Sequence, residues 1–282
     1  MAVTAADVKK LRDATGVGPA ECKKALTETD GDFDKAVKIL KEKGLAAAAK
    51  RADRATNQGR ITVKVKDGAA VLVELATETD FVARNPDFIA LGETIADKIL
   101  NEGYAETDER LNVMVNDLAT SIRENMSLKR IKLIKAAENQ HLAAYVHGDG
   151  AIGVVVLVSA DKPKVFDGED AKTFVFSLAM HIAAFNPLAI SSDDVEPSMI
   201  KEQVELFRKQ MEQDEKLKDK PEKVLDGILK GKVNKYLADI CLLDQNYIKN
   251  DKITVKQALA DEGKRLGAVL KIERYINFRV GA

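Results

Sequence analysis

Arg60–Leu75 reads "RITVKVKDGAAVLVEL" and decides the fold. Two runs of β-branched and apolar residues flank Asp67-Gly68, the strongest short signal for a tight hairpin. The same design returns at His141–Val158, "HLAAYVHGDGAIGVVVLV", with Gly148-Asp149-Gly150 at the tip. After each hairpin comes a helix-like segment, "NPDFIALGETIADKILNEG" after the first and "DAKTFVFSLAMHIAAFNP" after the second. Each half then supplies a third strand, "SLKRIKLIKAA" and "LGAVLKIERYINFRV". The repeat predicts an α+β fold: two related core lobes, each a small antiparallel sheet backed by helices. Asp108–Asn125 adds a further helical stretch to the first lobe.

Upstream, residues 4 to about 44 predict three short amphipathic helices. Thr4 is a candidate N-cap and Gly16 a stop; Pro19 opens the second helix; Asp32 opens the third, which ends at Gly44. Leu45–Arg60, "LAAAAKRADRATNQGR", reads as a linker carrying Lys50, Arg51 and Arg54 on a solvated face. Glu196–Ile240 interrupts the second lobe. Ile200, Val204, Phe207 and Met211 recur at 4-3-4 spacing, the seam of a helical pair. "KDKP" marks a turn at Pro221, and Val224, Leu225, Ile228, Val233, Leu237 and Ile240 form the answering stripe. The domain reading is therefore 1–56, three helices and linker; 57–140, lobe 1; 141–196 with 241–282, lobe 2; and 197–240, an inserted antiparallel helical hairpin.

Composition narrows the function. The 282 residues carry 44 basic and 45 acidic side chains, a net charge of −1. A protein built to grip phosphate backbones carries a basic excess, so direct nucleic-acid binding is not expected. Cys22 and Cys241 sit far apart and outside any Cys/His cluster, which predicts reduced thiols. No apolar run approaches the roughly 18 residues of a membrane span. The N-terminus lacks a signal-peptide pattern, so a cytoplasmic location and no membrane contact are expected. There is no phosphate-binding loop or dinucleotide fingerprint, and no cofactor or metal is expected.

Three clusters invite chemistry. Glu74, Glu78 and Asp80 lie near a strand end, but no nucleophile accompanies them, and solvated acids are the plainer reading. His141 and His147 share strand parity without a third ligand, so a metal site is disfavoured. His181 is flanked by apolar residues and reads as a satisfied helix histidine. His147 differs, because it stands at a hairpin tip where its ring can meet a partner. Asp80 and Phe81 follow a strand outside any regular pattern. A core strand gains nothing from the acid and a plain turn nothing from the ring; the pair reads as a tool presented to another molecule.

Six segments in order carry a resemblance: "LRDATGVGPAECKKAL", "TDGDFDKAVKILKEKG", "ETDFVARN", "YVHG", "AMHIAAFNP" and "LLDQNYIKND". They resemble bacterial elongation factor Ts, and with the repeat they cover nearly the whole chain. The resemblance implies an N-terminal ubiquitin-associated-like three-helix domain, a two-lobed core and a coiled-coil insertion. It implies guanine nucleotide exchange on elongation factor Tu, in its GDP-bound and nucleotide-free forms, without a chemical reaction of its own. It implies that Asp80 and Phe81, within Thr79–Val82, enter the partner beside its Mg²⁺ site. It further implies that His147, supported by Ile122, presses on the partner's phosphate loop. Tyr247 and Ile248 would meet a second partner domain, and Arg12 and Lys23 would contact the nucleotide domain. There are departures. "GVGPAECK" places Pro19 and Ala20 where familiar members read two methionines, which weakens or rebuilds that contact. The sequence stops at Ala282, where some members continue into a helical module. The hairpin varies in the family, and homodimerisation is one role open to it.

An RNA-binding module and a hydrolase using Glu78, Asp80 and His147 are the competing readings. "ITVKVK" and "VVVLV" lack the exposed aromatic platform on which bases stack.

Overall fold

A computed structural model describes residues 3–49, 51–104, 106–217 and 220–282. Lys50 of the expected linker and two residues of the "KDKP" turn lie outside the described residues. The fold is α+β with small antiparallel sheets. The chain divides into two compact units. The first comprises Met1–Lys135, Val146–Gly153 and Phe278–Ala282, the second Ala136–Tyr145 and Val154–Asn277.

The first unit opens with α1 (Ala5–Thr15), α2 (Pro19–Glu28) and α3 (Phe33–Ala49). Thr4 and Asp7 form a reciprocal capping box, and Gly16 closes α1 at φ 66°. Leu11, Cys22, Ala25, Leu26, Ala36 and Leu40 make the small shared core. The expected stop at Gly44 is a correction: α3 runs on to Ala49. Leu45–Ala49 are strong helix formers, and Gly44 serves close packing instead, since a Cβ there would lie 2.2 Å from Thr120 Cγ2.

The first sheet follows, in the order β1 (Gln58–Lys66), β2 (Ala69–Thr77), β3 (Met126–Lys135). β1 begins inside the stretch read as linker, because Gly59 pairs with Ala76 and lets the two backbones approach. Asp67 (φ 50°) and Gly68 (φ 71°) both take the left-handed conformation that a two-residue hairpin turn requires. β2 is central and covered on both faces. Val71, Val73 and Leu75 face α5 (Pro86–Glu102) and α6 (Glu109–Ile122), where Phe88, Ile95, Ile99, Leu111 and Val115 complete the main core. On the opposite face, buried Glu74 accepts a charge-assisted bond from Arg130 at 2.5 Å, and Arg130 also lies over the Phe278 ring.

The second sheet is β4 (Gln140–His147), β5 (Ile152–Ala160) and β8 (Leu270–Arg279), in that order. In the second unit α7 (Glu169–Phe185) is followed by the hairpin α8 (Pro197–Gln213) and α9 (Glu222–Ile240). Along α8, Ile200, Val204 and Phe207 are half-buried and Met211 is buried. Phe207 meets Tyr236 edge-on at 6.3 Å. Val224, expected on the α9 stripe, is exposed. A short strand pair, β6 (Asn246–Tyr247) and β7 (Asn250–Thr254), leads into α10 (Val255–Leu266).

His181 lies fully buried on α7. Its Nδ1 accepts from the Ile248 amide at 3.2 Å, which leaves Nε2 to donate to Gln245 Oε1 at 3.0 Å. Burial lowers its pKa, partly opposed by the Gln245 bond. The unfolded chain therefore takes up a proton near pH 6.5 while the folded one resists. Stability from this group is complete above that pH and declines as pH falls toward the folded value. Thermal melts from pH 7.5 to 5.5 should fall in wild type, and His181→Gln should flatten the slope.

Candidate functional site

The end of β2 builds the site. Thr77 is fully buried, and three residues later the chain turns into α4 (Asp80–Ala83), a single turn. Thr79 caps that turn, its hydroxyl accepting from the Val82 amide at 3.3 Å. Val82 and Ala83 point inward and are buried; Phe81 points outward and is 83% exposed. Asn85 and Pro86 then start α5 with a fresh cap, and Phe88, seven residues after Phe81, is 1% exposed.

Two acids fasten this turn to the segment that follows α6. Glu124 accepts from Thr77 Oγ1 at 2.9 Å, from the Thr79 amide at 3.1 Å and from Thr79 Oγ1 at 2.7 Å. Glu78 accepts from the Asn125 amide at 2.6 Å and pairs with Arg54 at 3.3 Å. The Asn125 amide, then Arg54, holds the Glu78 carboxyl below its ordinary pKa. The Asn125 side chain reaches back to the carbonyls of Ala52 and Arg54. The segment after α6 thus clamps both the turn and the chain leading into β1. Asp80 is left half-exposed, and among the described residues its side chain has a single long, solvent-screened contact, to Arg84 at 3.5 Å.

Sequence reading named Thr79, Asp80, Phe81 and Val82 as candidates, and the structure places them on this turn; it did not name Glu124 and Asn125, whose contacts span more than 40 residues. Ile122, expected to support His147, is half-buried and packs against the core cluster that contains Val82. Glu74, Glu78 and Asp80 have separate surroundings: Glu74 pairs with Arg130, Glu78 accepts from Asn125, and Asp80 faces solvent. Glu124→Ala would leave three donors without their acceptor. It should cost about 1–3 kcal/mol, read as a lower denaturant midpoint.

His147 is exposed at the end of β4. Gly148, Asp149 and Gly150 follow, all at positive φ. This tip is stitched to the first unit, for the Ile61 amide donates to the Gly150 carbonyl at 2.7 Å and the Val280 amide to Ala151. A Cβ on Gly150 would lie 2.4 Å from Arg60 Cγ, so glycine is required there for contact as well as for φ. Phe81 and His147 therefore belong to one unit. Arg12 and Lys23 are exposed on α1 and α2. In the second unit Tyr247 is 8% exposed, its hydroxyl 2.5 Å from Ser177 Oγ, while Ile248 beside it is exposed. A surface contact at this point falls to Ile248, with Tyr247 as its buried support.

The turn thus displays one aromatic ring and one acid on a hydrogen-bonded base. Comparison with known proteins gives the chain its family. The family model described as Elongation factor TS matches residues 78–282. The chain is 43% identical over 281 residues to elongation factor Ts of Treponema denticola, covering 100% of this chain and 99% of that one. It is 42% identical over 292 residues to the Treponema pallidum (strain Nichols) protein, with 100% and 99% covered. Against the Borrelia recurrentis protein, identity is 38% over 282 residues, with 100% of both covered. The chain belongs to the elongation factor Ts family. Among the described residues no helix is long and apolar enough to cross a membrane.

Proposed function

We propose that this chain is a guanine nucleotide exchange factor for elongation factor Tu in translation elongation, and that it works by deforming its partner. The observation that carries the reading is Phe81, 83% exposed on a turn whose neighbours Val82 and Ala83 are buried. An exposed phenylalanine gives up about 1.5–3 kcal/mol of burial, and a partner that encloses the ring recovers that energy. Inserted beside the partner's Mg²⁺ site, the rigid ring displaces what it meets, and the half-free Asp80 competes for the hydrogen bonds that hold the ion's waters. Mg²⁺ demands near-octahedral geometry, so a small displacement loosens the phosphates it clamps. His147 acts on the phosphate loop from the same unit. Arg12, Lys23 and Ile248 add contact area that holds the complex together.

The clamp by Glu124 supports this reading, because a wedge transmits force only if its own base does not yield. The test is direct. Elongation factor Tu loaded with fluorescent GDP is mixed with a substoichiometric amount of the chain. Fast release without hydrolysis is expected. Release no faster than the spontaneous rate, with proven binding, would show a docking protein that does not exchange nucleotide.

A further inference from the structure

One concavity in the first unit lies behind the segment that clamps the turn described above. It is a pocket of about 340 Å³ between α2, α3 and the end of α6. Lys24, Lys43, Arg51 and Arg123 line it, with Glu21 the one acid among the lining residues. Arg123 pairs with Glu21 at 2.7 Å and Lys43 with Glu28 at 2.8 Å. Counted over the lining residues and these ion-pair partners, four cations face two carboxylates; the two cations outside the pairs, Lys24 and Arg51, feel Glu28 and Glu78, which are already paired with Lys43 and Arg54. Such an excess stands out in a chain of net charge −1.

Arg51 carries the argument further. Its Nη2 donates weakly to the Ala119 carbonyl at 3.5 Å, the one hydrogen bond of this side chain among the described residues, and Arg51 is only half-buried. A guanidinium so little used keeps donors for an oxyanion, its best-matched acceptor. The carboxyl end of α6 opposes an anion here by about half a charge, and the amino end of α2, where Glu21 lies in the first turn, offsets it by a similar amount. The side-chain cations therefore decide the sign. They approach from three helical segments and the chain after α3. A single carboxylate satisfies one guanidinium fork, whereas a phosphate offers several acceptor oxygens and two charges.

We infer that this pocket is a binding site for a compact phosphate dianion or oligophosphate, held by Arg51 and Lys24 with Lys43 and Arg123 at the rim. Its occupancy bears on the docking turn through the backbone, because Arg123 precedes Glu124 and Asn125, the two residues that clamp that turn.

The test is calorimetric titration of the chain alone, without any partner protein, with inorganic pyrophosphate and with a nucleoside diphosphate. Its outcome is thus separate from the exchange reading. Saturable one-to-one binding is expected. Lys24→Gln with Arg51→Gln should weaken it at least about tenfold. Removing two exposed lysines elsewhere, Lys201→Gln with Lys209→Gln on α8, should leave it unchanged. Should the Arg51 variant unfold, Lys24→Glu alone, at an exposed position, must still weaken binding. Equal affinity for the two probes assigns recognition to the phosphates, and tighter binding of the nucleoside diphosphate adds a place for the base; either supports the site. Absence of saturation at millimolar pyrophosphate, an equal loss in the α8 control, or binding of a polyglutamate peptide in place of both phosphates would overturn it.

Discussion

Phe81→Ala should slow the GDP release that this chain stimulates from elongation factor Tu by roughly tenfold or more and leave the chain as stable as wild type. The size follows from losing about 1–3 kcal/mol of interaction made at the deformed state of the partner. The lack of a stability cost follows from exposure, since a ring that is 83% exposed supports little of its own core. Release of fluorescent GDP and thermal unfolding are measured on the same preparation. A large fall in melting temperature would make Phe81 a core residue. Asp80→Ala should weaken exchange chiefly when Mg²⁺ is present, and an equal loss with Mg²⁺ chelated would remove the acid from the ion's shell.

Phe88→Ala should do the reverse. Phe88 is 1% exposed and packs in the cluster with Val71, Val73, Ile95 and Ile99. Emptying that volume costs about 3–5 kcal/mol, from lost burial and from the cavity left behind. The denaturant midpoint should fall sharply, while the exchange rate of the fraction still folded should change far less than with Phe81→Ala. A stability loss under about 1 kcal/mol would mean that the site collapses around the gap. Two phenylalanines seven residues apart thus separate the tool from its foundation.

That contrast was half legible in the sequence. Phe88 falls on a helical stripe with Ile95 and Ile99, and periodicity assigns it to the core. Phe81 breaks the strand pattern beside Asp80, and the break is the signal. The hairpins were legible because alternation and Asp67-Gly68 agree. Local pattern failed wherever a distant contact decides the matter. Gly44 reads as a helix stop, yet Thr120 packs against it and the helix continues. α10 went unread although its buried stripe of Val255, Ala258, Leu259 and Gly263 stands well apart from its polar face. Glu124 carries no local mark at all, since its partners Thr77 and Thr79 lie 47 and 45 residues away. Tyr247 stands in a polar run, "DQNYIKND", and only the fold reveals Ser177 and His181 waiting for it.

The central claim is that Phe81 acts as a wedge, which is a statement about coupling. If the ring deforms the partner's Mg²⁺ and phosphate sites, this chain and GDP oppose each other's binding by one reciprocal factor. The most direct test is calorimetry of wild type and Phe81→Ala against nucleotide-free and GDP-loaded elongation factor Tu. Wild type should bind the nucleotide-free form more tightly by a large factor, and Phe81→Ala should shrink that factor about tenfold, in proportion to its loss in rate. If the substitution instead weakened both affinities equally, Phe81 would be a plain anchor and the wedge would be contradicted.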